Sequence, residues 1–288
     1  MELESRRLLG KYHLDTERFA TDFINDSLAI GITPVITEKK HNWGGNEDAC
    51  GINQKENIRM GMVADAHWGY VASQEAVLRF PDIFFSHYET HKDEKDPRQI
   101  YLESIIELCD NLDGVGRKSN VSYRTSIPGM SKPDSSVSQF YSVVNAGGNY
   151  YFVGLGDCVC HIITPQDVTR VNSQNDFFGH VGSLSPRNFM RNSNSEGGLS
   201  KTDLIEFDNP LVRKGLDVQV LNVKAGDVIF MHSDGYSMAK SQTRLGPFSE
   251  FFNRRSLSEA LDNIMLDVIQ NVHEYQDNIS VAVMKVSS

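Results

Sequence analysis

Val228-Ile229-Phe230-Met231-His232-Ser233-Asp234 is an apolar run that ends on a carboxylate, and its neighbours decide the fold. Residues 216–223 form another short apolar run before it, and Lys224-Ala225-Gly226-Asp227 supplies a turn between the two. Beyond it, 256–271 places Leu257, Leu261, Ile264, Met265, Val268 and Ile269 on one stripe of helical period. Ser256 followed three residues later by Glu259 is a capping box for that helix. Residues 279–286 then return to a short apolar run. The order strand, strand, helix, strand predicts an α/β protein of the α+β kind, a layered sandwich built mainly from antiparallel sheet with helices on its outer faces.

The same reading extends toward the N-terminus. Runs rich in Val, Ile, Phe and Tyr, bounded by Gly, Asn or Asp, predict strands over 28–37, 57–65, 137–145, 149–155 and 158–164. Asn145-Ala146-Gly147-Gly148-Asn149 is a hairpin, since glycine supplies the positive φ that a tight reversal needs. Helical periodicity appears over 70–80 and 98–112. Residues 165–215, with much Asn, Ser and Gly, read as a surface insertion or flap because core strands resume after them. The expectation is one domain, 1–288, carrying that flap.

At 288 residues, 40% hydrophobic and 23% charged, the composition is that of a globular protein and excludes disordered, collagen-like and coiled-coil classes. Lys and Arg total 28 against 38 Asp and Glu, a net charge of −10, which disfavours nucleic acid and anionic membrane as partners. The acidic excess is partly local if carboxylates gather to hold divalent cations. Cys50, Cys109, Cys158 and Cys160 are too few for a disulfide scaffold, and Cys158 and Cys160 lack zinc-knuckle spacing, so buried reduced thiols are expected. Without a signal-peptide pattern at the N-terminus or a long apolar run, a cytoplasmic location is expected, and the expected state is a monomer.

The sequence has no Gly-x-x-x-x-Gly-Lys phosphate loop, no His-Glu-x-x-His and no Gly-x-Ser-x-Gly, and Gly154-Leu155-Gly156 lacks the third glycine of a dinucleotide fingerprint. What recurs is a carboxylate at the end of an apolar run. Asp65 closes Arg59-Met60-Gly61-Met62-Val63-Ala64, Asp157 follows Tyr151-Phe152-Val153, and Asp234 follows the run quoted first. Glu47 and Asp48 stand before a turn, and Asp277 precedes Ile279. Oxygen-rich clusters of this kind suit Mg²⁺ or Mn²⁺, and a pair of such ions favours phosphoryl transfer to water.

Asn46-Glu47-Asp48-Ala49, Val63-Ala64-Asp65-Ala66-His67-Trp68-Gly69, Val153-Gly154-Leu155-Gly156-Asp157, His232-Ser233-Asp234-Gly235 and Asp277-Asn278-Ile279-Ser280-Val281 resemble, in order and spacing, the motifs of the metal-dependent Ser/Thr phosphatases of the protein phosphatase 2C type. The resemblance spans roughly residues 28–286. It implies a four-layer α-β-β-α sandwich, two Mn²⁺ or Mg²⁺ ions with a weaker third, and a phosphorylated protein as substrate. It further implies that Asp65 bridges two metals, that the Ala66 carbonyl is a further ligand, that Asp234 and Asp277 complete one shell, and that Glu47 holds the other ion directly or through water. Asp48 would hydrogen-bond water on the metal, Asn278 would orient the neighbouring ligands, and Asp157 would anchor the third ion with Asp234. His67 is the candidate general acid for the departing seryl or threonyl oxygen. His232, by alternation, faces away from Ser233, which gives it a place in the core or in support of the ligands.

Three positions depart from the pattern. Trp43 stands where the family usually has an Arg that forks onto the substrate phosphate, Ala66 replaces a Gly, and Val159 replaces an Arg. Lys39, Lys40 or His41 would then supply positive charge beside the substrate, as point charges without the fork. Because the ligand positions are spared, the expected function is metal-dependent phosphoprotein phosphatase with altered substrate preference. The alternatives are a catalytically weak regulatory or phosphoprotein-binding module and a phosphatase of small phosphorylated metabolites.

Overall fold

Alternation along each apolar run sends one set of side chains into a layer between two sheets and the other set beneath helices. The computed structural model describes residues 2–13, 18–34, 46–67, 70–112, 137–155, 158–171, 181–182, 188–190, 204–206, 218–238, 252, 255–271 and 277–287. Its strands are β1 (Glu4–Leu9), β2 (Ala20–Ile24), β3 (Leu28–Ile32), β4 (Ala49–Lys55), β5 (Ile58–His67), β6 (Val137–Ala146), β7 (Asn149–Leu155), β8 (Val159–Ile163), β9 (Val168–Arg170), β10 (Val181–Gly182), β11 (Asn188–Met190), β12 (Leu204–Glu206), β13 (Gln219–Leu221), β14 (Val228–His232) and β15 (Ser280–Lys285). The helices are α1 (Val71–His91), α2 (Pro97–Leu112), the short α3 (Asp234–Met238) and α4 (Leu257–Gln270).

One sheet runs β1-β4-β5-β6-β7-β13, with β10 also paired to β6, and the other runs β2-β3-β15-β14-β8-β9. Every pairing is antiparallel. Between the sheets lie Cys50, Ile52, Val63, Tyr141, Val143, Phe152, Ile229, Met231, Ala282 and Met284. The opposite face of the first sheet, with Met60, Met62, Ala64, Phe140 and Val144, packs under Phe80, Phe84, Tyr101 and Ile105 of α1 and α2. The opposite face of the second, with Phe230, Val281 and Val283, packs under Leu261, Ile264, Met265 and Val268 of α4. The layers are therefore helix, sheet, sheet, helix, as expected.

The hairpin glycines do what their sequence suggests. Ala146 pairs with Asn149, and Gly147 and Gly148 take φ of +60° and +81° between them, the left-handed geometry of a two-residue reversal. The helix expected over 70–80 continues to His91 with Pro81 inside it. An interior proline costs about 3 kcal/mol, but Phe80, Ile83, Phe84 and Phe85 are all buried there and the packing outweighs it. The strand expected over 57–65 runs on to His67, because β6 begins at Val137 and pairs with it, so Asp65 lies inside the strand opposite Gln139. Glu47 and Asp48 lead into β4, where a turn was expected. The strand expected over 28–37 ends at Ile32, and 35–37 lie outside the described residues.

Within 165–215, β9 extends the edge of the second sheet, β10 joins the first, and β11 pairs with β12. Residues 165–167 and 171 flank β9, and the remainder of that span apart from these strands lies outside the described residues. Cys50, Cys158 and Cys160 are buried reduced thiols, as expected, and burial pushes the Cys50 and Cys160 thiols far up. The Cys109 side chain lies outside the described residues.

Candidate active site

Antiparallel order brings the ends of non-consecutive strands together. The start of β4 and the end of β5 share one end of the first sheet, since Ala49 pairs with Ala64. The end of β14 and the start of β15 share one end of the second, since His232 pairs with Val281. Asp65 continues the parity of Val63, and Asp48 that of Cys50, so both belong to the face that looks at the other sheet. Ser233 likewise continues the parity of Met231 toward the first sheet.

Hydrogen bonds join the two ends. Ser233 Oγ donates to Asp48 Oδ2 at 2.7 Å and accepts from the Ser280 backbone N–H at 3.0 Å. Asn46 Nδ2 donates to the Thr33 carbonyl at 2.6 Å, and Asn46 Oδ1 accepts from the Asp48 N–H at 3.1 Å. Thr33 is itself locked to the entry of β15, its Oγ1 accepting from the Ile279 N–H at 2.9 Å. Gly235 is required by close approach: a Cβ there would fall 2.0 Å from the Asn278 carbonyl oxygen, so Asp234 and the Asp277-Asn278 pair sit against each other. The Asn278 N–H donates to Asp277 Oδ1 at 2.6 Å. Ser138 Oγ donates to the Asp65 carbonyl at 3.0 Å, holding β5 to β6 beside the carboxylate.

The sequence-expected residues thus fall into two groups. Glu47, Asp48, Asp65, Ala66 and Asn278 are described and buried, with Glu47 at 5%, Asp48 at 1% and Asp65 at 3% exposure, and Asp234 and Asp277 are half-buried at the same end. His41, Trp43 and Asp157 lie outside the described residues, as do Lys39, Lys40, Trp68 and the side chain of His67. The donor chemistry of the first group, carboxylates and backbone carbonyls, fits hard divalent cations. Among the described residues, however, no three His, Cys, Asp or Glu side chains are gathered closely enough to hold an ion. Sequence reasoning missed Ser233 and Thr33 as organisers. Ser233 lies within the His232-Ser233-Asp234-Gly235 motif, but nothing local distinguishes a structural hydroxyl.

Solved structures share this architecture end to end. The catalytic domain of the serine/threonine phosphatase PstP, in complex with two manganese ions, aligns over 94% of this chain and 98% of its own at 13% identity, with a TM-score of 0.52. The S. agalactiae serine/threonine phosphatase aligns over 90% and 100% at 17% identity, with a TM-score of 0.56. The PPM Ser-Thr phosphatase MsPP from Mycobacterium smegmatis, in complex with cacodylate, aligns over 91% and 98% at 15% identity, with a TM-score of 0.54. The chain has the protein phosphatase 2C fold. No protein-family model and no curated protein matches it by sequence, so the likeness is one of structure.

Behind the site, the phosphatase 2C sandwich buries a histidine pair. His232 is fully buried and stacks on His161 with ring centroids 5.3 Å apart and planes at 17°. His232 Nδ1 lies 2.7 Å from the Ser233 carbonyl oxygen, which can only accept, so that nitrogen carries the proton of a neutral ring. Burial lowers the pKa to about 3 for His232 and about 4 for His161. His232 belongs to the core, as its strand parity predicts. Its bond to the Ser233 carbonyl steadies the residue that holds Asp48.

Proposed function

We propose that this chain is a metal-dependent Ser/Thr phosphoprotein phosphatase, hydrolysing phosphate monoesters with Mn²⁺ or Mg²⁺. The observation that supports it most is the Ser233–Asp48 hydrogen bond, because it ties carboxylate-bearing strand ends of both sheets together at one end of a fold whose solved neighbours are phosphatases. Asp65, Glu47, Asp234, Asp277 and the Ala66 carbonyl are the oxygens proposed to hold two ions, with Asp157 and Asp234 holding a third. Bound there, paired divalent cations supply the Lewis acidity for in-line attack of water on phosphorus. Asp48, anchored by Ser233, accepts a proton-bearing partner at the attacking side, and Asn278 orients the adjoining ligands. His67 donates the proton that the seryl or threonyl oxygen needs as it leaves.

A phosphorylated protein is the proposed substrate, and a cytoplasmic monomer is the proposed state. Among the described residues, no helix is long and apolar enough to cross a membrane.

The decisive experiment measures Mn²⁺-dependent hydrolysis of an aryl phosphate and of a phosphopeptide. Both are expected to be cleaved, and Asp65→Asn is expected to abolish turnover together with Mn²⁺-dependent thermal stabilisation. Near-normal turnover in that variant refutes the assignment. Trp43 in place of a forked Arg favours a second reading as a regulatory or phosphoprotein-binding module. Metal binding without cleavage of either ester selects it.

A further inference from the structure

After β1 the chain makes a single tight turn, Gly10–Tyr12, packed on the segment that carries Glu47 and Asp48. The Gly10 N–H donates to the Asp48 carbonyl at 2.9 Å, and a Cβ on Gly10 would meet the Asn46 carbonyl oxygen at 2.4 Å. Only glycine permits that approach, and it delivers the next residue, Lys11, to the edge of the candidate site. Tyr70, just before α1, is bound into the same neighbourhood. Ser73 Oγ lies within hydrogen-bonding reach of the Tyr70 carbonyl, at 2.9 Å, and of the Glu47 carbonyl, and its one proton serves either.

Lys11 Nζ lies 4.7 Å from the centroid of the Tyr12 ring and 5.9 Å from that of Tyr70. Both distances fall within the range of cation–π attraction. Among the described residues Lys11 forms no ion pair. Aromatic faces hold a cation in place without neutralising it, so its N–H donors remain suited to an anion. Tyr12 is 68% exposed, while Lys11 and Tyr70 are half-buried, so the ammonium and the two rings near it lie at the protein surface.

We infer that Lys11, positioned by Tyr12 and Tyr70 beside Glu47 and Asp48, is the phosphate-binding cation of this chain and takes the place of the guanidinium that Trp43 replaces. The inference rests on the proposed phosphatase reading and names the group that receives the phosphoryl oxygens of the substrate. A lysine here acts as a compact point charge, so it attracts the phosphoryl group without imposing the planar two-bond geometry of arginine. The site therefore discriminates less by the orientation of the ester than a forked one does.

The test uses the full chain in Mn²⁺ and compares wild type, Lys11→Gln and Lys11→Arg. Inorganic phosphate binding is followed by calorimetry, and KM and kcat are measured on an aryl phosphate. Lys11→Gln is expected to weaken phosphate binding and raise KM by about tenfold or more, with a smaller change in kcat, while Lys11→Arg retains both. In the Lys11→Gln background, Trp43→Arg is expected to recover phosphate affinity. Wild-type phosphate affinity in Lys11→Gln, or no phosphate binding by the wild type, overturns the inference. Absence of turnover in every variant counts against the phosphatase reading alone, since the phosphate titration still decides Lys11.

Discussion

Ser233 acts through a single hydroxyl that serves both sheets at once. It donates to Asp48 Oδ2 and accepts from the Ser280 N–H, both buried, so its loss leaves a carboxylate oxygen and a backbone donor without that partner. Ser233→Ala is expected to cost about 1–3 kcal/mol of stability, read as a lower urea midpoint with an unchanged slope. A midpoint equal to the wild type's would show that water or another group substitutes freely. At this scale the sequence was informative about parity: alternation along β14 puts His232 and Ser233 on opposite faces, and the structure shows His232 on the α4 side and Ser233 on the inter-sheet side. It was silent about Lys11, because an aromatic contact between residues 11 and 70 leaves no local pattern.

Elements with strong local signatures were legible, and those whose partners supply their stability were not. The helix α4 begins at a capping box read directly from Ser256 and Glu259: the Glu259 N–H donates to Ser256 Oγ and the Ser256 N–H to Glu259 Oε2, each at 3.3 Å. Ser256→Ala is expected to destabilise the protein by about 1 kcal/mol, seen as a small drop in melting temperature without loss of helical content. The first strands, by contrast, escaped notice. β1 and β2 are sheet edges with charged residues such as Arg6, Arg7 and Asp22, and β4 ends in Asn53-Gln54-Lys55, so their alternation is weak. They exist because a neighbour offers unpaired backbone: β4 to β1, β3 to β2 and β5 to β4. The continuation of α1 through Pro81 has the same origin, since burial of its aromatic face against the first sheet outweighs a local penalty.

For the whole molecule, the stacked His161–His232 pair makes stability depend on acid. In the unfolded chain each imidazole protonates near its ordinary pKa of 6.5, whereas burial holds the folded values near 4 and 3. The folded state therefore binds fewer protons than the unfolded state, and stability falls as pH drops below about 6.5 toward those folded values. At pH 5 the loss is about 2 kcal/mol for each ring relative to neutral pH. Denaturant midpoints measured at pH 7 and pH 5 check this, with His232→Phe expected to flatten the slope. A wild-type midpoint that does not move across this range would show that the pair is not held neutral.

Periodicity, glycine turns and capping residues determined the sandwich, its helices and the carboxylates near the ends of its strands, because those features are set by near neighbours in the chain. The meeting of Asp48 with Ser233, of Gly235 with Asn278 and of Lys11 with Tyr70 was decided only by the tertiary structure. These contacts depend on which strand ends an antiparallel order places side by side, and that order is selected by burying all three apolar layers together.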